Sequence, residues 1–229
     1  LPNTDKARLA ALEKAVAMEH ECDVDKQAAS YKTLNEARAL LRRFKSAVGQ
    51  FQYCYTAQAE ANRQYQSHLK TARLYISHFI QVLNLAVLRN EVRKEHKLFY
   101  GLDPEDFAVP ELTGEKHILV WGERLIEGER ERVSHGGAPI YNPTIAKVTV
   151  HYDIFKEAYR EQQNYKLNTT RSQSGLDALR EEADRIILDL WNQVETYYAD
   201  LPAEIRLNRC RAYGVVYYYR SGEKRPEDD

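Results

Sequence analysis

Three observations predict an all-α fold. Proline and glycine are scarce, the segments between prolines repeat their apolar residues at helical spacing, and the two halves of the chain align with each other. Seven prolines and ten glycines in 229 residues leave long uninterrupted stretches. Such stretches suit helices better than the turn-rich strands of an all-β protein.

The elements follow in order. Thr4 is a good N-cap for a first helix that carries Leu9, Leu12 and Val16 and fades near Cys22. After a polar stretch, a second helix begins near Thr33 and runs through Leu40, Phe44, Val48 and Tyr55. A third spans about Ser67 to Lys97 with Leu69, Ile76, Ile80, Leu83 and Val87, and Tyr100-Gly101 stops it. Asp103 to Pro110 reads as a linker. A fourth helix runs from about Thr113 to Ser134 and ends at His135-Gly136-Gly137. Asn142-Pro143 is a helix start, with Asn as the cap and Pro in the first turn. That fifth helix reaches about Lys166. Thr169 to Ser174 reads as a turn, and a sixth helix runs from Gly175 to Ala199. Leu201-Pro202 interrupts before a short helix from Glu204 to Arg211. Val215 to Tyr219 is β-branched and aromatic, which predicts a short extended segment. The charged residues 221–229 predict a disordered tail.

The halves match in order. Leu9, Glu13, Val16 and Glu19 correspond to Leu119, Glu123, Ile126 and Glu129. Phe44-Lys45 corresponds to Phe155-Lys156, and Gln66-Ser67 to Gln173-Ser174. Glu91-Val92-Arg93 corresponds to Glu204-Ile205-Arg206, and Tyr100-Gly101 to Tyr213-Gly214. The expected organisation is two tandem three-helix repeats, 1–110 and 111–220, packed by pseudo-twofold symmetry into one helical bundle around one shared core. Phe44 and Phe155 are expected as equivalent core anchors.

Composition excludes several function classes. The 33 Lys+Arg and 34 Asp+Glu give a net charge of −1, unlike the basic excess of a general nucleic-acid binder. No apolar run approaches the roughly 18 residues of a membrane span, and the mean hydropathy is −0.64. Three cysteines, Cys22, Cys54 and Cys210, form no C-x-x-C pair, which suits reduced thiols and a cytoplasmic protein. Residues 1–5 carry neither the basic nor the apolar region of a signal peptide.

Chemistry-bearing patterns are few. Seven histidines are scattered, with no H-E-x-x-H or E-x-x-H, so no metal and no cofactor is expected. Gly136-Gly137 lacks the pattern of a phosphate loop. Gly122 and Gly128 lie inside a helix, where each costs about 1 kcal/mol against Ala; close approach of a neighbouring element is the expected compensation. The doubled Glu-x-Arg before Tyr-Gly makes Glu91, Arg93, Tyr100, Glu204, Arg206 and Tyr213 candidate residues of a groove at the duplication axis, where paired carboxylates could serve acid–base chemistry. Arg206, Arg209, Arg211 and Arg220 interleave with Tyr217 and Tyr219, the recipe of Arg for phosphate and Tyr for base stacking. The competing expectation is that Arg206 and Arg209 pair with glutamates and hold the C-terminal segment to the bundle.

Trp121-Gly-Glu-Arg-Leu-Ile-Glu-Gly-Glu, the segment Ala138-Pro-Ile-Tyr-Asn-Pro-Thr-Ile-Ala-Lys-Val and the Tyr-Gly-Val-Val-Tyr end resemble uncharacterised all-helical proteins of Bacteroides-type bacteria. The resemblance spans about half the chain. It implies a bacterial, helical protein and brings no activity and no site residues. With no catalytic motif present, the leading functional expectation is a non-enzymatic helical scaffold or protein-interaction module, bound to a protein partner or to itself. Single-stranded nucleic-acid binding through the C-terminal Arg/Tyr segment is the first alternative. A small-ligand binder or enzyme at the duplication axis is the second.

Overall fold

A computed structural model describes residues 1–21 and 27–218. Among the described residues the chain is all-helical, and the only bridge outside helices joins Tyr141 and Thr144. The elements are α1 (Asp5–Glu21), α2 (Tyr31–Leu88), a 3-10 helix (Lys94–Tyr100), α3 (Glu115–Ser134), α4 (Ile145–Tyr197) and α5 (Ala203–Ala212).

Capping side chains set several of these bounds. The Ala7 N–H donates to Thr4 Oγ1 at 3.2 Å, which starts α1. Ser30 does the same for α2, accepting from Thr33 N–H at 3.2 Å. Thr144, and not Asn142, stands at the start of α4, with its carbonyl accepting from Val148 N–H at 3.2 Å.

The largest departure from expectation is that four expected helices are two. The second and third expected helices are one 58-residue helix, α2, and the fifth and sixth are one 53-residue helix, α4. Between Phe51 and Ser67 the sequence offers no Gly or Pro to break a helix, and the good formers Ala, Gln, Glu and Arg are interspersed with weaker ones such as Thr56 and Asn62. The expected turn at Thr169 to Ser174 is helical. Ser172 and Ser174 turn their hydroxyls back to the carbonyls of Thr169 and Thr170, at 2.9 and 3.0 Å, a local bond that serine can make while staying within the helix. The third expected helix also stops early. α2 ends at Leu88, Asn90 adopts φ 60°, and the chain continues as the 3-10 helix until Gly101 at φ 71°.

Two compact units result, and neither ends at residue 110. One comprises the described residues of Leu1–Tyr55 and Asn168–Asp229; the other is the contiguous segment Thr56–Leu167. Each has its own hydrophobic cluster, and the two clusters share no residue, in place of the one core expected. In the first unit Leu12, Leu34, Phe44, Ile186, Leu190 and Tyr213 pack together. In the second, Ile76, Phe79, Tyr100, Leu125, Tyr152 and Phe155 do so. Phe44 and Phe155 are both fully buried.

Charge and small residues tighten this packing. Within the first unit, α1 is tied to α4 by two bidentate pairs. Asp5 accepts from Arg180 at 2.8 and 2.6 Å, and Arg8 donates to Asp184 at 2.8 Å twice. The hydrogen bonds from Arg180 hold the Asp5 carboxyl below the usual carboxylate range. Within the second unit, both α3 glycines mark close approaches. A Cβ on Gly122 would overlap the Tyr152 ring, and one on Gly128 would stand 2.6 Å from the Phe99 carbonyl oxygen.

The short extended segment expected from Val215 onward has no regular secondary structure over residues 215–218 and pairs with no strand there. Val215 is buried, Gly214 sits at φ 89° against the Ala11 backbone, and the Tyr217 hydroxyl donates to Glu195 Oε1 at 2.9 Å. Those contacts hold the C-terminal segment. Arg206 donates to the Ala199 carbonyl at 3.4 Å and Arg209 is exposed, so the expected Arg–Glu anchoring is replaced by burial of the chain itself. Tyr219, Arg220 and the tail 221–229 lie outside the described residues.

Candidate functional site

Within the unit Thr56–Leu167, α2 and α4 run antiparallel. Asn62 faces Gln162, where Gln162 Nε2 donates to Asn62 Oδ1 at 3.1 Å, and Tyr75 further along α2 stacks on His151 earlier in α4, with ring centroids 4.1 Å apart. Beside this pair lies a groove of about 430 Å³. Its α2 wall shows Ala57, Ala61, Gln64 and His68, spaced to share one helix face. Its α4 wall shows Ile154, Ala158, Glu161 and Tyr165 in the same way, with Glu157 alongside. The alanines are half-buried, while Glu60, Glu157 and Glu161 are exposed. The groove therefore has a small apolar inner face and an acidic edge, and no Lys or Arg lines it.

A second polar constellation in this unit is closed to solvent. The Tyr100 hydroxyl donates to Glu129. Arg132 donates to the Tyr100 hydroxyl at 2.7 Å and to Glu129 Oε2 at 2.9 Å. Glu129 also accepts from Ile140 N–H at 2.8 Å, and Arg132 donates to the Ala138 carbonyl at 2.8 Å. All three side chains are essentially fully buried. Burial first, and the neighbouring Glu129 carboxylate second, push the Tyr100 phenol well above its ordinary value. A buried ion pair with its hydrogen bonds satisfied serves here as a clamp between α3, the 3-10 helix and the loop before α4.

The six residues assigned to a duplication-axis groove divide three and three. Glu91, Arg93 and Tyr100 belong to the contiguous unit, and Glu204, Arg206 and Tyr213 to the other. Both tyrosines are core residues, and the Tyr213 hydroxyl accepts from Ala28 N–H at 3.2 Å. Glu91 pairs with Arg89 at 2.8 Å beside a recess of about 310 Å³. Arg93 and Glu204 are exposed.

Of the nucleic-acid candidates, Arg206 and Tyr217 share a recess of about 220 Å³ with Glu195. The carboxylate and the engaged Tyr217 hydroxyl make that recess a poor phosphate site. Arg211 is half-buried. Among the described residues, no group of three His, Cys, Asp or Glu side chains is placed to hold one metal ion. No described helix is long and apolar enough to cross a membrane.

Sequence reasoning missed the groove residues and the Glu129–Arg132 pair. The pair had a signal: Glu129 follows the tightly packed Gly128 and stands at i, i+3 to Arg132. The groove had none, because its face exists only if α2 and α4 continue unbroken past Tyr55 and Lys166. Comparison with protein-family models, with curated proteins and with solved structures finds no match to this chain.

Proposed function

We propose that this chain is a helical protein-interaction module that acts without catalysis and associates through α2. The observation that carries this reading is an exposed seam. Leu74, His78, Gln81, Leu85 and Leu88 follow one another at spacings of four and three, and all five are exposed, the three leucines by 64, 49 and 61 %. That is the spacing of a coiled-coil face, and it runs for about 21 Å at ~1.5 Å per residue. The opposite face of the same helix, with Ile76, Phe79, Ile80 and Leu83, is already buried in the core.

The partner is a second copy. Counted outward from Gln81, the spacings are nearly the same in both directions. An antiparallel copy related by a twofold axis then sets Leu74 against the second copy's Leu88 and Gln81 against itself. Sedimentation equilibrium of the full chain should show concentration-dependent association. The substitutions Leu85→Glu and Leu88→Glu together should leave it monomeric at unchanged helicity. A wild type that stays monomeric at every concentration overturns the reading, as does association that survives the double substitution. Salt-sensitive retention of a single-stranded oligonucleotide, lost on Arg206→Ala with Arg209→Ala, would favour nucleic-acid binding instead.

The duplication belongs to the same proposal. Several features support two repeats, each a short helix, a long helix and a short closing helix. Phe44 and Phe155 are both fully buried, and Tyr100-Gly101 and Tyr213-Gly214 both end a helix with a buried Tyr and a positive-φ Gly.

A further inference from the structure

We propose that the groove between α2 and α4 in the unit Thr56–Leu167 takes a basic amphipathic helix of a partner protein. The site lies on residues other than the α2 seam and goes beyond the self-association proposed for that seam.

The argument begins with charge. Glu60, Glu157 and Glu161 edge the groove, and none of them makes an ion pair among the described residues. Glu157 and Glu161 stand at i, i+4, the spacing at which like charges destabilise a helix. No lining cation offsets them. Arg63 and Arg160 stand three residues from Glu60 and Glu157 but do not line the groove, so positive charge brought into it from outside would meet the carboxylates directly.

The form of that charge follows from spacing. Successive carboxylates on one helix face are about 5–6 Å apart at their Cβ atoms, and no three acidic or histidine groups among the described residues are placed to hold one ion. The carboxylates are therefore set to meet separate cations along a chain and not a single metal ion. They repel phosphates, so nucleic acid does not fit.

Shape selects a helix. Ala57, Ala61 and Ala158 leave the inner face low, and the exposed Ile154 and Tyr165 add apolar contact. Small residues let a third helix approach a helix pair closely, and an apolar stripe laid into such a groove is a recurring mode of recognition. The same unit shows how a helix sits against α4: α3 packs with Gly122 directly over Tyr152. The matching partner helix carries small or aliphatic residues on one face, flanked by Lys or Arg one turn apart.

The test uses the full chain and two capped helical peptides of Ala and Leu. One has Lys at i, i+4 along its flanks, and the other has Glu at the same positions. Binding is read by fluorescence anisotropy at low and at physiological salt. The Lys peptide should bind and weaken with salt, and the Glu peptide should not bind. The triple variant Glu60→Gln, Glu157→Gln, Glu161→Gln should bind the Lys peptide about tenfold more weakly, at an unchanged melting temperature. Ala61→Arg, which brings a cation into the groove, should weaken binding in the same way. The seam variant Leu85→Glu, Leu88→Glu should bind the Lys peptide like wild type, which separates this site from the self-association surface. Absence of Lys-peptide binding, equal binding of both peptides, or equal binding by wild type and the triple variant each overturns the proposal.

Discussion

Single residues decide much of this fold's stability, and two kinds of position can be told apart. Phe44 and Phe155 are fully buried in separate clusters. Truncating either to Ala should cost about 3–5 kcal/mol by urea denaturation. A loss below ~1 kcal/mol at either would contradict its core role. Glycines separate just as cleanly. Gly175 lies within α4, and a methyl group added there would meet nothing within 4 Å, so Gly175→Ala should stabilise by up to about 1 kcal/mol. Gly122→Ala should destabilise, because its methyl would overlap the Tyr152 ring. If Gly122→Ala raises the melting temperature as Gly175→Ala should, the close packing of α3 on Tyr152 is wrong. The need for a close approach at Gly122 and Gly128 was legible in the sequence, since two glycines in a helix demand compensation. Which atoms approach was not legible, because Tyr152 and Phe99 are remote in sequence.

Elements add electrostatics. α1 is joined to α4 by the Asp5–Arg180 and Arg8–Asp184 pairs. Asp5 has its pKa lowered in the folded chain. Its contribution is thus present above the unfolded value of 3.8 and is lost as pH falls through the lower folded value. Melting temperatures of wild type and Asp5→Asn should differ at neutral pH and converge at strongly acidic pH. A constant gap across that range would mean that Asp5 is not paired. The helical character of α1 and α3, and the Thr4 cap, could be read from local spacing alone. The continuity of α2 and α4 could not. Local composition around Phe51 to Ser67 and Thr169 to Ser174 permits either a helix or a break, and antiparallel packing through Asn62–Gln162 and Thr169–Cys54 favours the helix.

The whole molecule divides differently from its sequence halves. The unit Thr56–Leu167 is contiguous and contains one complete cluster. Expressed alone, it should fold cooperatively. The other unit draws on both ends of the chain. Fragments 1–110 and 111–229 should each lack a complete core and be poorly helical alone, and mixing them should restore helicity by circular dichroism. A cooperative melt for isolated 1–110 would contradict this division.

From its sequence alone, this protein is determined to be all-helical: scarce Pro and Gly and a 3.6-residue apolar period act within one segment, so they need no knowledge of what that segment meets. Only the tertiary structure decided the two separate cores, the buried Tyr100–Glu129–Arg132 clamp and the acidic groove. Each depends on residues far apart in the chain coming within a few ångströms, and a single sequence records the spacing of neighbours without recording which distant faces meet.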